Sequence, residues 1–72
     1  MASLKKRGRY YYIKFFRIHE DGSHEESVKS LGIRYKDMAE KALETLERLE
    51  QNGEINPYSP RFDPQKVLED LK

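Results

Sequence analysis

Residues 9–18 constrain the fold more than any other stretch of this chain. They read Arg-Tyr-Tyr-Tyr-Ile-Lys-Phe-Phe-Arg-Ile, with an aromatic ring or an isoleucine at seven of the ten positions and no acid. Rings and β-branched side chains suit a pleated surface better than a helix, so the stretch predicts a strand. Strand alternation then splits it into two faces. Tyr11, Ile13 and Phe15 form a wholly apolar one, and Tyr10, Tyr12, Lys14, Phe16 and Ile18 form the other. Rings interleaved with a lysine are unusual on a side that meets only water, and function is expected there.

The flanking residues supply partners for this strand. Residues 2–7 are short and basic, and either form a brief edge strand or trail as an arm, with Gly8 allowing the chain to turn between. Downstream, Glu20-Asp21-Gly22-Ser23 separates the strand from residues 27–33, and Asp-Gly between two extended runs signals a hairpin. A two-residue turn on Asp21-Gly22 sets Phe15 opposite Val28, Ile13 opposite Ser30, Lys14 opposite Lys29 and Phe16 opposite Ser27. Opposed residues share a face. The core side then gathers Tyr11, Ile13, Phe15 and Val28, while Tyr12, Lys14, Phe16, Ser27 and Lys29 lie outside, with Leu31 near that end. Two lysines facing each other destabilise a sheet unless something negative lies over them. A three-residue loop with a bulge shifts the register by one and sends Val28 and Lys29 to opposite faces.

Residues 36–52 carry Ala39, Ala42, Leu43, Leu46 and Leu49 at the spacing of one buried helical stripe. The start lacks a side-chain cap, whereas Asn52-Gly53 provides a stop. A helix of this length spans about 25 Å, enough to cross a three-stranded sheet. One apolar sheet face and one apolar helix stripe are buried together by packing on each other. The expected fold is therefore α+β: a three-stranded antiparallel sheet on one C-terminal helix, spanning residues 1–53. Residues 54–72 form a proline-punctuated extended tail, with Ile55, Tyr58 and Phe62 able to dock back. A short terminal helix is signalled by Asp63 as N-cap and Pro64 at its first position. This tail is expected to be a linker toward a following domain.

Charge is uneven along the chain. Lys5, Lys6, Arg7, Arg9, Lys14 and Arg17 fall in the first 17 residues with no acid, although the net charge is only +1. A basic first quarter suggests a polyanionic partner, with a solvated tail as the competing reading. The chain has no cysteine, so disulfides and thiolate metal sites are excluded. His19 and His24 flank the turn without a third ligand, which argues against a metal centre. No apolar run is long enough to span a membrane, and a cytoplasmic, nucleoid-associated piece of a longer protein is expected. Phosphate loops, nucleophile elbows and His-Glu-x-x-His are missing, so a non-catalytic module without cofactor is expected.

The remaining chemistry is a face of rings and cations continued by a basic arm. The major groove of B-DNA is about 12 Å wide and accepts a β-ribbon. Lys and Arg neutralise phosphates, while side chains at the sheet centre reach base edges. The expected DNA-binding residues are Lys5, Lys6, Arg7, Arg9, Tyr12, Lys14, Phe16 and Lys29. Two alternatives stay open: a protein–protein interaction module, and single-stranded nucleic-acid binding by stacking on the aromatic–basic face.

The order of pieces also resembles a known family. Lys-Lys-Arg-Gly-Arg-Tyr-Tyr-Tyr-Ile-Lys-Phe-Phe, then Glu-Asp-Gly, Val-Lys-Ser-Leu-Gly and Ala-Glu-Lys-Ala-Leu is similar to the N-terminal arm-type DNA-binding domain of phage-type tyrosine recombinases (integrases), over residues 3–53. The resemblance implies a three-stranded sheet on one helix that enters the major groove of arm-type sites in double-stranded DNA. It matches Tyr12 and Lys14 to groove-facing positions, Tyr11, Ile13 and Phe15 to core positions, and Lys5, Lys6, Arg7 and Arg9 to the basic segment before the main strand. Where members often carry basic residues after the hairpin turn, this chain has His24-Glu25-Glu26. Binding through the strand middle and the arm is implied instead. The resemblance further implies partners in the other domains of a parent site-specific recombinase of a mobile element, and in other recombinase protomers; the recombination chemistry belongs to a later domain.

Overall fold

The computed structural model describes residues 2–71. Met1 and Lys72, the ends of the two expected domain spans, lie outside the described residues. The chain folds as α+β in two layers. Strands β1 (Ala2–Arg7), β2 (Tyr10–Ile18) and β3 (His24–Ile33) form an antiparallel sheet in that order, followed by helices α1 (Lys36–Gln51) and α2 (Pro64–Asp70). The aromatic run is the central strand. The basic residues expected as an edge strand or an arm take the first form, since Lys5, Lys6 and Arg7 pair with Tyr12, Tyr11 and Tyr10. Gly8, at φ +61°, and Arg9 make the two-residue connection. A glycine with positive φ at the first central position suits the tight hairpin turns that match strand twist.

The second hairpin corrects the expected register. The Gly22 N–H donates to the His19 carbonyl at 2.9 Å, and the His19 N–H to the Ser23 carbonyl at 2.8 Å. The loop is thus Glu20-Asp21-Gly22, with Gly22 at φ +88° closing it. A three-residue loop whose last residue is left-handed places one more residue in the connection than a two-residue turn does. Every partner on β3 slips by one: Ile13 faces Lys29, Lys14 faces Val28, Phe15 faces Ser27 and Phe16 faces Glu26. Val28 is therefore outside and Lys29 inside, the reverse of the two-residue reading, and the Lys14–Lys29 pair does not exist. Pairing also shifts between Tyr11 and Tyr12, where Tyr12 faces Ser30 but Tyr11 faces Ile33. Leu31, expected near the outer side, is interior at 3 % exposure.

All the covering mass lies on one side of the sheet. Ile13, Phe15 and Leu31 pack with Ala39, Ala42 and Leu46 of α1 and with Phe62 from the tail. The small Ala39 and Ala42 let the helix lie close to the strands. At the helix end the Glu54 N–H donates to the Leu49 carbonyl and the Gly53 N–H to the Glu50 carbonyl, with Gly53 at φ +76°. These two bonds satisfy terminal carbonyls and reverse the chain. The tail then runs back along the core: Pro57 and Pro64 are fully buried, and the Phe62 ring meets the Phe15 ring edge-on at 5.8 Å. Asp63 caps α2 by accepting from the N–H groups of Gln65 and Lys66. No helix among the described residues is long and apolar enough to cross a membrane.

Candidate nucleic-acid interface

Among the described residues, neither helix nor tail lies over the opposite side of the sheet. Pairing and alternation bring Ser3, Lys5 and Arg7 of β1, Tyr10, Tyr12, Lys14, Phe16 and Ile18 of β2, and His24, Glu26, Val28 and Ser30 of β3 onto it. Tyr10 and Val28 are each 44 % exposed and Ile18 is 65 % exposed. A single edge-to-edge sheet that must hide one face leaves the other for whatever the sequence puts there. Here that is a row of rings bordered by cations.

Two cations on this face, Arg7 and Lys14, have local contacts. The Arg7 guanidinium lies 5.9 Å from the Tyr12 ring centre, close enough for a cation–π attraction. Lys14 Nζ is 3.3 Å from Glu26 Oε1, diagonally across the β2–β3 pair. Both groups are substantially exposed, so this pair holds the lysine by at most about 1 kcal/mol. A phosphate can displace the carboxylate at that cost. Among the described residues Glu26 is the only acid on the face.

The hairpin tip is different. Arg17 and Glu25 face each other on the helix side of the sheet, with Arg17 Nη2 2.5 Å and Nε 2.6 Å from Glu25 Oε1. His19 Nε2 reaches the same oxygen at 3.1 Å. The hydrogen bond from Arg17, and secondarily that from His19, holds the Glu25 carboxyl below the ordinary glutamate range. The Arg17 guanidinium also stacks 4.3 Å from the Tyr58 ring centre, tying the tail to the tip. Burial, reinforced by Glu50, pushes the Tyr58 phenol above its usual value. In the turn, the Ser23 hydroxyl and N–H donate to Asp21 Oδ1 at 2.7 and 2.9 Å and lower that carboxyl. These interactions hold Arg17, Asp21 and Glu25 to partners within the molecule.

The expected site residues divide accordingly. Lys5, Arg7, Tyr12, Lys14 and Phe16 share the open face. Arg9 sits in the β1–β2 turn beside it. Lys6 falls on the helix side of β1, its amine 5.7 Å from the Tyr11 ring centre. Lys29 also belongs to the helix side, and the argument from two facing lysines goes with it. Glu26, Val28 and Tyr10 lie on the face beside them; the first two were hidden from sequence reasoning because only the loop length places them. Arg61, which lines a cleft with Lys29, was also missed, although it is the only base between Glu54 and Asp63. Among the described residues no group of three or more His, Cys, Asp or Glu is placed to hold a metal. Comparison with protein-family models, curated proteins and solved structures returns no match to this chain.

Proposed function

We propose that the open sheet face binds double-stranded DNA through the major groove, as the non-catalytic, arm-site-binding module of a site-specific recombinase. The supporting observation is that Lys5, Arg7 and Lys14 are interleaved with Tyr10, Tyr12 and Phe16 on the one side that α1, the tail and α2 leave uncovered. Three strands at about 4.8 Å spacing make a slab about 10 Å wide, which fits a groove about 12 Å wide. In this reading Lys5 and Arg7, on the edge strand, meet phosphates, while Tyr12 and Lys14 reach toward base edges. The recombinase context rests on the resemblance of residues 3–53 alone.

Lys14→Ala is expected to weaken duplex binding and to lower the salt slope by about one unit if a phosphate contact is lost. An amide-shift titration with duplex DNA at low salt should move residues 3–16 and 26–30. If those amides stay still while the protein is saturated with duplex, the proposal is wrong. The 44 % exposure of Tyr10 favours one second reading, stacking on unpaired bases. Competition between duplex and single-stranded oligonucleotides of equal length decides between them.

A further inference from the structure

We infer that a second anion site lies off the face, in the cleft at the β3 edge lined by Lys29 and Arg61, and that it takes a backbone phosphodiester of the bound duplex. The inference rests on the duplex-binding reading for the source of the phosphate, but the cleft stands on its own geometry. The register turns Lys29 toward the helix side, where Phe62 already fills the interior beside Phe15. A lysine beside a buried ring runs its stem along the apolar surface and keeps its ammonium at the rim. Arg61 is presented to the same cleft by a short turn. In it the Phe62 N–H donates to the Ser59 carbonyl at 3.1 Å and the Arg61 N–H to Ser59 Oγ at 3.3 Å.

The charges in this cleft are not spent internally. Lys14, Arg17 and Lys36 each pair with a carboxylate, whereas no ion pair engages Lys29 or Arg61 among the described residues. The cleft contains one acid, Asp63, and its Oδ1 is committed to the N–H groups of Gln65 and Lys66. Two cations against one carboxylate leave the cleft with a net positive charge, which favours an anion. Placement supplies the partner. The major groove is flanked by a phosphate chain on each side, and a sheet inserted there presents β1 to one chain and β3 to the other. Lys5 and Arg7 serve the first, and Lys29 with Arg61 the second. A domain that reads the groove with its centre thus holds both rails with its edges.

The test uses the 72-residue chain with the variants Arg61→Ala and Lys29→Met. Arg61 is exposed, and methionine keeps the length of the lysine stem without its charge. Each variant should bind a duplex more weakly and lower the salt slope by about 0.9. Its deficit against the unmodified protein then narrows about threefold between 50 and 200 mM salt. Asp63→Asn, which preserves an N-cap, should bind more tightly. Independently, inorganic pyrophosphate should shift the amides of Lys29, Arg61 and Gln65, and Arg61→Ala should abolish that response. Native salt slopes in both charge-removing variants, alongside a reduced slope in Lys14→Ala, would overturn the cleft while leaving the face reading intact. A pyrophosphate response without any duplex binding would overturn the backbone as the source and the face reading with it.

Discussion

Two adjacent pairs on one strand show how differently the two sides of this sheet are built. Ile13 and Phe15 are sealed under α1 and the tail with no exposed surface, while Tyr12 and Lys14, one position away, look out from an uncovered face. The helix side is held by many apolar contacts at once and tolerates little change. The open side is held by isolated polar contacts, Arg7 on Tyr12 and Lys14 with Glu26, each weak and each reversible. Stability and recognition are therefore separated by the pleat itself, and substitutions on alternating residues of β2 should fall into two classes.

The largest effect expected is from Phe15→Ala, which removes a fully buried ring and its edge-on contact with Phe62. A loss of about 3–5 kcal/mol is expected, enough to unfold a domain of this size in urea titrations. Tyr12→Ala, on the other face, should cost less than half as much stability yet weaken duplex binding; equal destabilisation by both would erase the contrast. Next is Gly32→Ala. Gly32 has φ +66°, and a Cβ built there lies 2.9 Å from Gln65 Oε1. Left-handed strain plus displacement of Gln65 should cost about 1–2 kcal/mol, read as a lower urea midpoint at unchanged m-value.

Smaller effects sharpen the comparison on the open side. Glu26→Gln frees Lys14 and removes the one acid that the described residues place on the open face. Duplex affinity at 0.1 M salt should rise a few-fold with the melting temperature nearly unchanged, since an exposed pair contributes at most about 1 kcal/mol. The smallest effect concerns acid. Because Glu25 is held below its ordinary range by Arg17 and His19, its contribution to the hairpin tip is full above the unfolded glutamate pKa. That contribution is lost as pH falls through the depressed folded value. A side-chain carboxyl titration should place Glu25 below the ordinary glutamate range, and Arg17→Gln should raise it toward that range.

Much of the helix side was legible in the sequence because it follows from periodicity. The alternation of Tyr11, Ile13 and Phe15 and the stripe from Ala39 to Leu49 each have one arrangement that buries them. The Asn52-Gly53 stop and the Asp63-Pro64 start are local chemistry and lie where they were expected. The composition of the open face was only half legible. Its β2 members follow from alternation, but its β3 members depend on whether Gly22 closes a two- or a three-residue loop, a choice both turns permit from Asp-Gly alone. The same single step moved Lys29 from one side to the other. The pairing shift that sets Tyr11 opposite Ile33 and Tyr12 opposite Ser30, and the cleft shared by Lys29 and Arg61, join residues far apart in the chain, which no local pattern encodes.

Gln65 reaches the sheet with its side-chain amide, donating to the main-chain carbonyl of Ser30 at 3.2 Å. That carbonyl lies on a border strand, where an unoccupied acceptor would invite a neighbouring molecule to extend the ribbon. By plugging it, the final helix acts as an endpiece that discourages stacking of copies into a filament. On the other border strand the Ala2 N–H donates to Glu47 Oε1 at 3.1 Å, and repulsion among its lysines and arginine guards the rest. Trimming the chain before Asp63 should therefore leave a protein more prone to polymerise along β3 than along β1.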